Sequence, residues 1–154
     1  MLGLGLITFL NVYIMYRLAN DLDFTRSGHE ALDREHEIFI EILKRIVRAY
    51  KDNWEATIKD GLLNELHKFI DFHFTSEENL MLISNASNYQ KHKEDHQCLK
   101  EVLGSIINVF DVEQLDLNDL MDFICIRLRD HANSFDFELG QHLVMHEKLG
   151  KELS

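Results

Sequence analysis

Four long stretches of the chain repeat their apolar residues at the three- and four-residue spacing of an amphipathic helix, and no proline interrupts them. Called segments A to D, they run from about Ala31 to Lys51, Ala56 to Ile83, Tyr89 to Phe110 and Asp119 to Leu149. A chain of 154 residues is long enough for one domain with a core. We therefore predict an all-α fold, an antiparallel up-down-up-down four-helix bundle, whose interior is the usual place for a metal site.

The first 16 residues carry no charge and are apolar on every side of a predicted helix. Counted to residue 19, this helix is about 28 Å long, against a hydrocarbon core of about 30 Å. A short membrane anchor fits this length, and a packing or oligomerisation helix explains the composition equally well. No basic residue precedes the run and no A-x-A site follows it, which disfavours a cleaved signal peptide. We expect a separate segment at 1–20 and a bundle domain at 21–154.

The net charge and the cysteines indicate which binding partners and which cellular compartment to expect. The formal net charge of −11 repels nucleic-acid phosphates, so we expect no nucleic-acid partner. Cys98 and Cys125 form no CxxC pair and lie in helical segments, which indicates reduced thiols in the core. Reduced thiols favour the cytoplasm, with membrane association through residues 1–19 as the open alternative.

Histidines and carboxylates recur one helical turn apart. His73 and Glu77 in B, and His92 and His96 in C, are four residues apart and therefore share a helix face. The four segments together supply five imidazoles and two carboxylates: His36, His73, Glu77, His92, His96, His131 and Asp136. Burying these groups without partners would cost several kcal/mol for each charge. We therefore predict that all seven face the bundle axis and hold a di-metal centre, for which iron accepts both nitrogen and oxygen ligands.

Segment D poses a geometric problem, because His131 and Asp136 are five residues apart. At about 100° per residue, their side chains would point about 140° apart on a regular α-helix. One π-helical turn, with i to i+5 hydrogen bonds, would realign them, and such turns recur at functional sites. We predict one over Ala132–Asp136.

The order of the motifs resembles the hemerythrin family, with a histidine in A, HxxxE in B, HxxxH in C and HxxxxD in D, from about Phe24 to Leu149. Supporting residues are Gly28, the Leu-Asp of LDREH, the run HFTSEENLM and Tyr89. The resemblance implies a non-haem di-iron protein that binds molecular oxygen reversibly, as hydroperoxide, for carriage, storage or sensing. The ferritin-like alternative requires two ExxH motifs, which this sequence lacks.

The same resemblance implies a role for each ligand. His36 and His73 would ligate the iron that keeps an open site for oxygen. The other iron would be saturated by the remaining three histidines, His92, His96 and His131. Glu77 and Asp136 would bridge the two ions, together with an oxo or hydroxo group.

The expected oxygen pocket includes Leu128 and Ala132. Family members often carry a tryptophan and a bulky aliphatic residue where this chain has Arg127 and Ala132. The small Ala132 predicts a roomier, wetter pocket and a shorter-lived oxygen adduct. An enzyme that processes peroxide or nitric oxide is therefore the alternative function, and a sensor or iron-handling protein is a third.

Other candidate residues have plainer interpretations. His142 and His146 lie near a helix C-terminus, where the helix dipole stabilises cations. We expect His67 in solvent, His29 in local hydrogen bonds and Glu78 as a surface charge. The aromatic residues are predicted to pack in the core: Phe39, Phe69, Phe72, Phe74 and Phe135.

Overall fold

The described part of the chain is helical. The structure is a computed structural model, and it describes residues 22–107 and 117–152. Its first three helices are α1 (Glu30–Lys51), α2 (Ala56–Ser84) and α3 (Tyr89–Ile107). The fourth helix, α4, covers 117–152 and is composed of Leu117–Asp122, Phe123–Leu128, Arg129–His131, Ala132–Asp136 and Phe137–Glu152. The predictions of an all-α fold and of four helices are confirmed for these residues.

The apolar segment at 1–20 lies outside the described residues, as does the connection at 108–116. Within 22–107 and 117–152, every helix is too short or too polar to cross a membrane. The membrane anchor and the packing helix both stay predictions for the segment at 1–20.

Left-handed asparagines end the first two helices. Asn53 and Asn85 have φ angles of 49° and 54°, which asparagine tolerates better than most residues that carry a Cβ. The residue after each asparagine returns to the last helical turn. The Trp54 N–H donates to a carbonyl of α1 at 2.8 Å, and the Ala86 N–H donates to one of α2 at 2.9 Å. These tight turns let α1 pack on α2 and α2 pack on α3.

Two π-helical turns interrupt α4. One covers Ala132–Asp136, so the π-turn predicted there is confirmed. It turns His131 and Asp136 to the same side, with His131 Nε2 2.9 Å from Asp136 Oδ1. The other covers Phe123–Leu128 and was not predicted, because that stretch contains no pair of polar residues that needs realignment.

Two apolar clusters fill the interior and leave a polar layer between them. The smaller cluster contains Leu32, Met81, Leu139 and Leu143. Along α1 the chain passes from the smaller cluster at Leu32 to the larger one at Phe39. Along α2 it passes from the larger cluster at Ile70 to the smaller one at Met81. The predicted ligands of both helices lie between these positions, and therefore in one layer across the bundle.

Two side chains predicted in the core lie at the surface. Phe72 is 59% exposed, because His73 and Phe74 take the inward positions and successive residues point about 100° apart. Cys98 is also exposed, whereas Cys125 is partly buried. The prediction of a core position is therefore wrong for Phe72 and Cys98.

Candidate metal centre

The seven predicted ligands lie together in the polar layer. Each is at most 7% exposed, and Glu77, His92 and His96 are fully buried. Every helix contributes at least one of them, with His36 on α1, His73 and Glu77 on α2, His92 and His96 on α3, and His131 and Asp136 on α4. The structure therefore brings the whole predicted set together. The separations between the ligand atoms indicate whether the set could hold metal ions.

Five of these side chains surround one possible ion position, their ligand atoms lying within 4.8 Å of one another: Glu77, His92, His96, His131 and Asp136. Asp136 Oδ1 is 2.9 Å from His131 Nε2 and 3.1 Å from His92 Nε2. Glu77 Oε2 is 3.1 Å from His96 Nε2. Metal–ligand bonds of about 2.0–2.2 Å place neighbouring ligands of one ion roughly 3 Å apart. These separations therefore fit a bound cation.

A second possible ion position lies beside His36, His73 and Asp136. Asp136 Oδ2 is 3.1 Å from His36 Nε2 and 3.8 Å from His73 Nε2. Glu77 Oε1 also faces this position, 3.8 Å from His73 Nε2, and has no hydrogen-bond partner among the described residues. A buried carboxylate oxygen without a partner is unfavourable. A cation at this position would satisfy it.

Three further carboxylates bind the outer nitrogens of the histidines. In each case a carboxylate of one helix accepts a hydrogen bond from an Nδ1–H on the next helix. The pairs and their distances are Glu35 with His73 at 2.7 Å, Glu78 with His96 at 3.2 Å, and Asp95 with His131 at 2.6 Å. Such carboxylate–histidine pairs orient metal-binding imidazoles and raise their basicity.

The roles of these three acids were not predicted from the sequence. The prediction of Glu78 as a surface charge is wrong, because its side chain is 19% exposed and contacts His96. A signal was present, since Glu35, Glu78 and Asp95 each lie directly beside a predicted ligand in the sequence. The histidine that each acid supports lies on a different helix, however, and spacing along one helix cannot reveal that pairing.

The outer hydrogen bonds determine which nitrogen is free to bind a metal. Because an ionised carboxylate only accepts, Nδ1 of His131 carries a hydrogen, and Nε2 is the nitrogen that faces the ion position. His131 Nε2 lies 2.9 Å from Asp136 Oδ1 and 3.2 Å from His92 Nε2. Electron-rich atoms this close repel each other unless a proton or a metal ion lies between them. A metal ion at this position would take the place of such protons, and the donor set therefore fits a cation.

Burial and neighbouring charges shift the pKa values of the site in both directions. Burial, together with the Asp136 carboxylate, raises the pKa of Glu77 well above its ordinary value. Burial would also raise the pKa of Asp136, but His131 and the other histidines hold it well below its ordinary value. Burial and the neighbouring imidazoles lower the pKa of His96 to about 2. Burial lowers the pKa of His73, yet the nearby carboxylates outweigh it and raise the pKa overall.

The shifted groups suit metal binding, because ligands must lose their protons to bind an ion. His96 is already neutral. Glu77 and His73 hold protons more tightly than usual, and a metal ion would displace these protons. Asp136 stays ionised between the two positions.

A small cavity lies beside the second ion position. It is bordered by the three ligand candidates of that position and by Leu128 and Ala132, which we predicted in the oxygen pocket. Its volume is about 10 Å³, roughly what one water molecule needs. This cavity is not the roomy pocket that Ala132 led us to expect. Phe24, from the segment before α1, also lines the cavity. A role for Phe24 in the site was not predicted from the sequence.

Aromatic rings cover the first ion position. Phe74 is 1% exposed and stacks on His96, with ring centroids 3.9 Å apart and planes 10° apart. Phe135 lies 5.1 Å from His92 and 5.3 Å from His131, measured between ring centroids. These rings keep the imidazoles in place and exclude water from them.

The remaining histidines of the described residues lie away from the centre. His67 is exposed, as predicted. His142 Nε2 donates to a backbone carbonyl at the end of α2 at 3.1 Å, and its ring centroid is 6.3 Å from that of the exposed His146. His29 Nε2 lies 3.4 Å from Glu147 Oε1.

Comparison with known proteins agrees with this geometry. Residues 27–143 match the family described as Hemerythrin HHE cation binding domain. A bacteriohemerythrin of Clostridium acetobutylicum is 24% identical over 116 residues, which cover 72% of this chain and 90% of that protein. No solved structure matches the chain significantly. The range 27–143 includes all seven ligand candidates and the three acids behind them.

Proposed function

Because the chain belongs to the hemerythrin family, we propose that it holds two iron ions in the polar layer and binds molecular oxygen reversibly beside one of them. The observation that carries this proposal is the position of Asp136, whose two oxygens face two different sets of histidines. Five imidazoles and only two carboxylates also place less negative charge on the metals than a carboxylate-rich site would. That balance disfavours high-valent iron and favours reversible electron transfer to oxygen.

In the proposed centre, each ion has its own histidines. His36 and His73 hold the ion beside the cavity, where oxygen would bind. The other ion is held by the three remaining histidines, His92, His96 and His131. Glu77 and Asp136 bridge the ions, together with a solvent-derived oxo or hydroxo group. The unpartnered Glu77 Oε1 supports the bridging role of that residue.

We further propose that the four helices alternate in direction. The reversed order of the two apolar clusters along α1 and α2 supports this topology, as do the short turns between the first three helices. Residues 21–154 would form the bundle domain, and residues 1–20 a segment of their own that anchors or packs the protein.

When bound, the iron pair supplies two electrons to oxygen and recovers them on release. The protein provides the surroundings. Leu128, Ala132 and Phe24 shield the cavity from water, which would otherwise promote loss of the bound oxygen. Glu35, through its hydrogen bond with Nδ1, keeps Nε2 of His73 directed at the ion.

Stopped-flow spectroscopy of the diferrous protein tests the proposal. Oxygen should produce a charge-transfer band within the mixing experiment, and the band should vanish when oxygen is removed under vacuum and return when oxygen is added again. Oxidation without a reversible band, accompanied by turnover of added peroxide or nitric oxide, would instead support the alternative function as an enzyme.

A pair of histidine variants provides the control. His36→Ala should abolish the reversible band, because it removes a ligand of the ion beside the cavity. His67→Ala makes the same chemical change at an exposed position and should leave the band intact. Loss of the band in both variants, or in neither, would contradict the assignment.

A further inference from the structure

Phe24 separates a surface cleft from the inner cavity. The cleft has a volume of about 80 Å³ and lies between the segment at 22–28, here called the strap, and α1. Phe24 and His36 line both the cleft and the cavity, so they stand between solvent and the second ion position. The Phe24 ring is 6% exposed, and its centroid lies 5.0 Å from that of His36 and 5.8 Å from that of Phe39.

The strap holds Phe24 in place through contacts outside the metal centre. The Thr25 N–H donates to Asn133 Oδ1 at 2.8 Å. The Ser27 N–H and hydroxyl donate to Asp33 Oδ1 at 2.7 and 2.9 Å. Gly140 lies so close to Ser27 that a Cβ there would be 2.2 Å from the serine Cβ. The position of the Phe24 ring is therefore set by how the strap is attached.

Phe24 differs from the rest of the cavity wall in the kind of segment that carries it. The other lining side chains lie on α1, α2 and α4, and displacing them would disturb helix packing. The strap has no regular secondary structure in the described residues. Its attachment consists of hydrogen bonds to single side chains instead of a helical ladder, and segments of this kind open more easily than packed helices.

We propose that Phe24 is the residue that determines which ligands reach the ion held by His36 and His73. Its ring closes the passage from the cleft, admits small linear ligands and rejects those that carry a bulky group. This inference rests on the proposed function, because it requires an iron ion with an open position beside the cavity.

Anion binding to the diferric protein tests whether Phe24 acts as a gate, that is, whether its ring controls which ligands pass from the cleft to the ion. Azide is the small probe and benzoate the bulky one, and both are followed through the changes they cause in the iron absorption. In Phe24→Ala, the space left by the missing ring should admit the benzoate ring. The affinity for benzoate relative to the affinity for azide should rise at least about tenfold. This is the size of effect expected when one pocket group discriminates between two ligands. The azide association rate should also rise.

Phe72→Ala is the matched control, because it removes the same side chain from an exposed position. It should leave the benzoate-to-azide ratio as in the unaltered protein. Phe24→Leu keeps an apolar side chain in the core and should give an intermediate ratio, which preserves the test if Phe24→Ala does not fold. Gly140→Ala displaces Ser27 and should shift the ratio in the same direction as Phe24→Ala.

The outcomes separate the two proposals. An unaltered protein that holds two irons and binds azide, with a ratio that does not change in either Phe24 variant, would overturn the gate and leave the proposed function standing. A protein that binds no iron, or whose iron does not respond to azide, would overturn both.

Discussion

The hydrogen bond between Asp95 and His131 gives the sharpest test of how the protein supports its proposed metal ligands. It is the shortest of the three carboxylate–histidine bonds, at 2.6 Å. Replacing Asp95 with Asn removes the negative charge behind the imidazole but keeps an oxygen that can accept from Nδ1. Replacing it with Ala removes both the charge and the acceptor. The two variants therefore separate the electrostatic contribution from orientation.

The structure sets the expected size of the effect. Losing a partner behind a metal ligand typically lowers metal affinity about 10- to 100-fold. The Asp95 side chain is 30% exposed, so solvent screens part of its charge. We expect Asp95→Asn to lower iron affinity about tenfold, which corresponds to about 1.4 kcal/mol. Asp95→Ala should approach 100-fold, because the His131 ring also loses its orientation.

Competition between the protein and a coloured iron(II) chelator under anaerobic conditions measures this affinity. Glu94→Gln is the matched control, because Glu94 is the neighbouring acid in the chain, is exposed, and accepts a hydrogen bond from Gln90 instead of a ligand. It should retain the affinity of the unaltered protein. Equal affinities for Asp95→Asn, Asp95→Ala and Glu94→Gln would refute the reasoning that the outer carboxylates support the centre.

Three further predictions follow from the described contacts. Phe74→Ala removes a buried ring that stacks on His96 and should lower the free energy of unfolding by about 3–5 kcal/mol in denaturant titrations. Asn85→Ala places an unfavourable φ of 54° on alanine and should cost about 1 kcal/mol, whereas Asn85→Gly should not, as thermal melts would report. The pKa values of Glu77 and His73 are raised, so loading iron into the metal-free protein near neutral pH should release protons to an indicator dye. For the same reason, iron affinity should increase as the pH rises. An affinity independent of pH would contradict the assigned protonation states.

The helices and the clustering of the seven ligand candidates could be predicted because both follow from spacing along the chain. Apolar periodicity predicted the helices, and their observed bounds agree closely with the predicted ones. For example, the second helix was predicted from about Ala56 to Ile83 and is observed at Ala56–Ser84. The five-residue interval between His131 and Asp136 was itself informative, because only a π-helical turn lets both residues face the same side. Such signals are local, and one sequence is enough to carry them.

The support for the ligands could not be predicted, because it depends on contacts between helices. Asp95 is close to His131 only once α3 packs beside α4, and no periodicity along α3 records that neighbour. Phe24 reaches the cavity through the path of the strap, which has no helical repeat to read. Phe72 was mispredicted for a different reason: it directly precedes His73 and Phe74, which both face inward, so its own side chain points outward despite its hydrophobicity.

The iron content of the purified protein tests the central claim most directly. Elemental analysis of protein from iron-supplied cells should give two irons per chain, and Asp136→Ala, which removes the carboxylate shared by both ion positions, should lower that number. One iron per chain, no iron, or a full complement of iron in Asp136→Ala would contradict a centre in which these seven side chains hold a pair of ions.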